Sequence, residues 1–157
     1  YEQSGRIQAR IVFGERILKV DGHAFRDHSW GGRNWEGVQR WRTSVGQFGA
    51  EFAYAAGEIL LPNGDVSYLG LMFDGRQTTR IRRATVDVDS DSRPTQGLVT
   101  LEDLEGKLTK IEIEFIYVLD MPYDFHILHE CYTKQRWNER SGHGIVEINQ
   151  KLLCAPP

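Results

Sequence analysis

Residues 98–119 read LVTLEDLEGKLTKIEIEFIYVL, and their reading decides the fold. From Lys107 onward the pattern alternates: Ile111, Ile113, Phe115 and Tyr117 share one side, with Glu112 and Glu114 on the other. A period of two is that of a half-buried β-strand, because successive side chains leave opposite faces of the backbone. The preceding LVTLEDLEG reads as a second strand, and Glu105-Gly106 between them has the chemistry of a tight turn. Two strands joined this way form a hairpin.

The same pattern runs in both directions along the chain. GRIQARIVFG puts Ile7, Ala9, Ile11 and Phe13 on one face against Arg6, Gln8 and Arg10, and Gly14-Glu15 turns it into RILKVDGHAF. VQRWRTSVG and AEFAYAAGEIL follow as strands, and PNGD at 62–65 carries the Asn-Gly pair of a hairpin turn. VSYLGLMF ends at Asp74-Gly75, TTRIRRATVDVD runs into the polar loop SDSRP, and DFHILHECYTKQRW is followed by a turn, ERSGHG, then GIVEINQKL. No segment sustains the i, i+3, i+4 spacing of a helix. The expectation is an all-β domain of eight to ten antiparallel strands over residues 1–157. A meander of that size best avoids exposed edges by closing into an up-and-down barrel or flattened barrel. A β-sandwich is the runner-up.

The chain has 157 residues, enough for a single sizeable core, and its 40% apolar and 26% charged composition is that of a soluble globular protein. Apolar runs such as FIYVLDM are too short to span a bilayer, and YEQSGRIQAR has no signal-peptide pattern, although a chain beginning at Tyr1 leaves targeting open. Net charge is −3 with no basic patch, which argues against nucleic acid as a partner. Arg76, Arg80 and Arg82 share a parity and suit the wet face of a strand. Cys131 and Cys154 form neither a metal-ligand spacing nor a disulfide framework, consistent with a reducing cytoplasm and with no cofactor or metal.

Four tryptophans, six tyrosines and seven phenylalanines could either fill a barrel or line a ligand cavity in it. Trp35, Trp41, Tyr54, Tyr68 and Phe73 are the candidate lining residues. The densest chemistry is in RDHSWGGRNW, residues 26–35. Asp27 and His28 are a carboxyl group and an imidazole that burial could tune to acid or base duty, and the face of Trp30 could stabilise a passing cation. The ordinary alternative makes Arg26 and Asp27 a rim ion pair and Gly31-Gly32 a turn. His126 and His129 fall on opposite faces of a strand, which does not suit shared metal coordination. Asp120 and Asp124, around a proline in DMPYDFH, read as turn carboxylates rather than an acid–base pair.

GHAFRDHSWGGRNW, residues 22–35, resembles the signature of the double lipocalin-like proteins that include the carotenoid 1,2-hydratases (hydroxyneurosporene synthases), and of relatives sharing an Arg-Asp-His-Ser-Trp-Gly motif. ERSGHGIVEIN, with His143 and Glu147, is similar to a weaker C-terminal motif of the same relatives. Those proteins carry two barrel-like modules, and this chain resembles the C-terminal one, so the resemblance implies a homodimer or a missing N-terminal module as partner. It also implies acid-initiated hydration of a C=C bond, a lyase reaction. In that chemistry Asp27 is the proton donor, Trp30 stabilises a carbocation and His28 positions water, with the roles of Asp27 and His28 exchangeable.

Three expectations from different classes result. The first is an enzyme that hydrates, isomerises or cyclises a small isoprenoid-like or polyketide-like ligand. The others are a non-catalytic carrier of a small apolar ligand, and an interaction module that pairs with a missing barrel.

Overall fold

The structure is a computed structural model and describes residues 2–31, 37–123 and 125–152. The chain divides into two compact units, residues 1–31 and 32–157. Among the described residues there are ten strands, and no helix is long and apolar enough to cross a membrane.

The first unit is one long hairpin. Strand β1 (Glu2–Phe13) pairs antiparallel with β2 (Arg16–Asp27), from Glu2↔Asp27 to Phe13↔Arg16, around a turn in which Gly14 takes φ 57°. Residues directly opposite share a face. Ile7, Ala9 and Ile11 therefore lie beside Gly22, Val20 and Leu18, with Arg6 and Asp21 ion-paired on the other side. Phe13 at the tip is 78% exposed.

The second unit is a closed barrel of eight strands in the order β10-β3-β4-β5-β6-β7-β8-β9. These are β3 (Arg40–Phe48), β4 (Phe52–Leu60), β5 (Val66–Phe73), β6 (Thr78–Val88), β7 (Gln96–Asp103), β8 (Leu108–Tyr123), β9 (His126–Trp137) and β10 (Arg140–Lys151). Every neighbouring pair is antiparallel and, apart from the closing pair β10–β3, consecutive, so the barrel is an up-and-down meander. It closes where β10 meets β3, from His143↔Gln47 to Gln150↔Arg40. That seam excludes the sandwich. The β5–β6 ladder is brief, Leu71↔Arg80 to Phe73↔Thr78, and β6 then leans across the lumen, where Arg42 Nη1 donates to the Val86 carbonyl at 3.1 Å. The barrel is flattened there.

The lumen is filled in layers. At one end Phe48, Phe52 and Trp137 stack, with Phe52 and Trp137 4.2 Å apart. Next comes a polar layer: the Tyr54 hydroxyl meets Ser44 Oγ at 2.7 Å and donates to Gln135 Oε1 at 3.0 Å, and Gln135 Nε2 donates to the Val45 carbonyl and Thr133. Beyond it lie Ala84, Val86, Val99, Leu101, Ile111, Cys131, Val146 and Ile148, each fully buried. These buried side chains make up the core in the middle of the lumen.

One turn differs from expectation. β9 and β10 are joined at Asn138–Glu139, with Asn138 at φ 53°, and Ser141–His143 already belong to β10. Gly142 and Gly144 are strand residues under close approach: a Cβ on Gly144 would lie 1.9 Å from the Val45 carbonyl oxygen. Glycine marks a crowded strand here, not a turn.

Candidate functional site

β2 ends at Asp27, and residues 28–30 leave the hairpin ladder. The His28 and Trp30 rings meet edge to face, 5.1 Å between centroids, and Arg26 Nη2 lies 3.4 Å from His28 Nδ1. Asp27, His28 and Trp30 are all exposed, Trp30 at 76%. Trp35 lies outside the described residues. Of the remaining candidates for lining, Tyr54 and Tyr68 face the lumen, whereas Trp41 and Phe73 face outward. Phe73 pairs with Ala53, one residue from lumen-facing Tyr54. Trp41 pairs with Asn149 and Ile59 on the outer wall, where it stacks on His126 and donates to Glu147 Oε2 at 3.3 Å. The physical reason is parity. On β3 the bulky apolar Trp41 and Val45 point out and Arg40, Arg42 and Ser44 point in, the reverse of what hydropathy suggests.

That reversal creates a polar row at the second end of the lumen. The pairings Tyr68↔Glu58, Glu58↔Arg42, Arg42↔Ile148, Ile148↔His129 and His129↔Asp120 run across six strands at a single level. Arg40 lies one level further out, beside Leu60 and Gln150. Arg40 faces Glu58 at 3.6 Å, and Arg83 sits over the Tyr68 ring at 5.5 Å.

The loop between β6 and β7 is tied down at both sides of this row. Asp89 accepts from the backbone N–H and hydroxyl of Thr95, which closes the loop on itself. From it, Asp91 pairs with Arg42 on β3 at 2.5 Å and Arg93 makes a bidentate pair with Asp120 on β8 at 2.9 and 2.6 Å. Asp120 Oδ1 in turn meets His129 Nδ1 at 2.8 Å. Arg93, then His129, hold the Asp120 carboxyl down to about 2, so it is ionised at neutral pH. An ionised carboxylate only accepts, so Nδ1 carries a proton and donates it, which leaves Nε2 as the end of the ring turned away from Asp120. His129 is 2% exposed, and its Nε2 has no hydrogen-bond partner among the described residues. Buried Nε of Arg40 and of Arg42 likewise lack one. Buried polar atoms are nearly always paired, so three orphans at one end of a lumen mark it as unusual.

Two neighbours are excluded from nucleophilic roles. Burial pushes the Cys131 thiol up to about 11, reinforced by the charges of Asp120 and Glu130, so it stays protonated. Burial likewise pushes the Tyr54 hydroxyl up. Glu58 is raised by desolvation, which Arg40 and Arg42 partly offset. Pro122, two residues from Asp120, predicts a turn there. Pro122 instead pairs with Ile127 inside β8, and Asp120 is a strand residue opposite His129. The separation of His126 and His129 onto opposite faces holds, with His126 stacked between Trp41 and Tyr123 on the outer wall.

A family model described as a domain of unknown function (DUF7064) matches residues 1–152. The chain belongs to this family. A comparison with curated proteins finds no match. As a DUF7064 domain, the chain carries its polar lumen row and its exposed hairpin end within the matched stretch.

Proposed function

We propose that this domain binds a small, largely apolar ligand at the polar end of its barrel, and that His129 exchanges a proton with it. The observation that carries the reading is the His129 imidazole. It is buried, oriented through Nδ1 by an ionised Asp120 that Arg93 fixes, and presents an unpaired Nε2. An orienting carboxylate behind an imidazole fixes the ring's tautomer and aim, which suits it to general acid–base catalysis. Leu60, Val66, Ile127 and Ile148 on the same and adjoining levels suit an apolar body. Isomerisation of an alkene-bearing ligand, in which one group takes a proton from one carbon and returns it to another, needs a single imidazole placed in this way.

Native mass spectrometry of the untagged protein should reveal a small lipophilic adduct in wild type and in His129→Gln alike. In D2O the adduct should gain deuterium with wild type and not with the variant. An adduct that never exchanges makes the domain a carrier, and exchange that survives His129→Gln removes His129 from the chemistry. The second reading assigns the proton to Asp27, with His28 and Trp30 beside it. The edge-to-face contact of those two rings favours it. Asp27→Asn then abolishes the exchange while His129→Gln does not.

A further inference from the structure

We infer that the group recognised at the polar end is a neutral carbonyl oxygen, held by the Nε–H donors of Arg40 and Arg42; this rests on the ligand-binding reading above.

The donors come first. Nε of an arginine can only donate, and both atoms are buried without an acceptor among the described residues. Arg40 and Arg42 alternate on the same face of β3, so both guanidinium groups belong to one end of the lumen. An oxygen with two lone pairs is the smallest group that can accept from both.

Charge then decides which oxygen. Arg40 already faces Glu58 at 3.6 Å, and Arg42 is paired with Asp91 at 2.5 Å. Arg83 and Asp87 complete the set of charges that act on Glu58. Three cations are therefore matched by three carboxylates. A carboxylate ligand would be desolvated next to Glu58 and Asp91 with no unmatched cation to meet it, an arrangement that costs more than the attraction returns. A ketone or ester carbonyl satisfies the same donors without adding charge. Its oxygen would lie in the same lumen level as His129, which is two strands from Arg42, about 10 Å between backbones. A carbonyl of an apolar molecule is thus the substrate class that fits both the arginines and the imidazole.

Three probes of equal chain length separate the cases: 2-octanone, octanoate and 1-octene. Binding is followed by the NMR resonances of the arginine Nε–H groups in the whole chain. The expected result is that 2-octanone shifts the Arg40 and Arg42 Nε–H signals and binds more tightly than the other two. Arg40→Lys and Arg42→Lys keep the charge opposite Glu58 and Asp91 but remove the Nε–H. Each should weaken 2-octanone about tenfold, the loss of one hydrogen bond to a charged donor, with the melting temperature checked alongside. Tighter binding of octanoate overturns the proposal in favour of an anion site. Equal binding of 1-octene and 2-octanone, or ketone binding that leaves both Nε–H signals unmoved, also overturns it, while leaving the apolar-ligand reading intact. Failure of all three probes to bind removes both.

Discussion

Asp120 is the residue on which the candidate site turns. Its carboxyl is exposed at the edge of the barrel, yet Arg93 and then His129 hold it near 2, below its ordinary value of 3.8. A carboxylate whose folded-state value is lowered stabilises the fold above its unfolded value, and that contribution is lost as pH falls through the folded one. The window is therefore from about pH 4 down to about pH 2. Urea unfolding across that window should be steeper in pH for wild type than for Asp120→Asn, which has no proton to take up. Equal slopes would mean that Arg93 and His129 do not bind Asp120 as an anion in solution. The sequence shows Asp120 only as a carboxylate near a proline, because its partner His129 is nine positions away, across a strand reversal.

At the scale of the element, β10 is the strand whose glycines matter most. Gly144 lies against β3 so closely that a methyl group would strike both the Val45 carbonyl and Gln135 Nε2, at 1.9 and 2.4 Å. The backbone oxygen cannot yield, and Gln135 is held by Thr133, Val45 and Tyr54. Gly144→Ala should destabilise the barrel by about 1–3 kcal/mol, the usual range for overpacking, read from a denaturation midpoint. A neutral result would mean that the β3–β10 seam opens readily. The motif SGHG looks like turn chemistry because glycine is most often a turn residue. Only the packing of β3 on β10 reveals the closer constraint.

The whole molecule combines two units of unlike construction. The barrel has a closed hydrogen-bond ladder and a core of fully buried side chains. The hairpin is a two-stranded sheet with Ile11, Val12, Phe13, Ile17 and Leu18 exposed. Two strands alone are marginally stable in water, and opening free energies follow local burial. Amide exchange should therefore be faster throughout β1 and β2 than in β7 and β8. Exchange as slow in the hairpin as in the barrel would show that its apolar face is covered in solution.

Much of this architecture follows from local pattern. Strand identity, the turns at Gly14, Asn63-Gly64 and Gly106, and the all-β class are all legible in alternation and turn chemistry, because each depends on residues within a few positions of one another. The closure of β10 on β3 and the direction of each face are not. β3 alternates arginine and serine against tryptophan and valine, and hydropathy alone would turn Trp41 inward and Arg42 outward. Cross-strand pairing decides the opposite, since Arg42 must share a face with Glu58 and Ile148 once the register is set. The chemistry of RDHSWGGRNW is conspicuous along the chain, and the edge-to-face pair of His28 and Trp30 is local to it. The row of Glu58, Arg42, His129 and Asp120 draws its members from four strands, so it exists only after the barrel has closed.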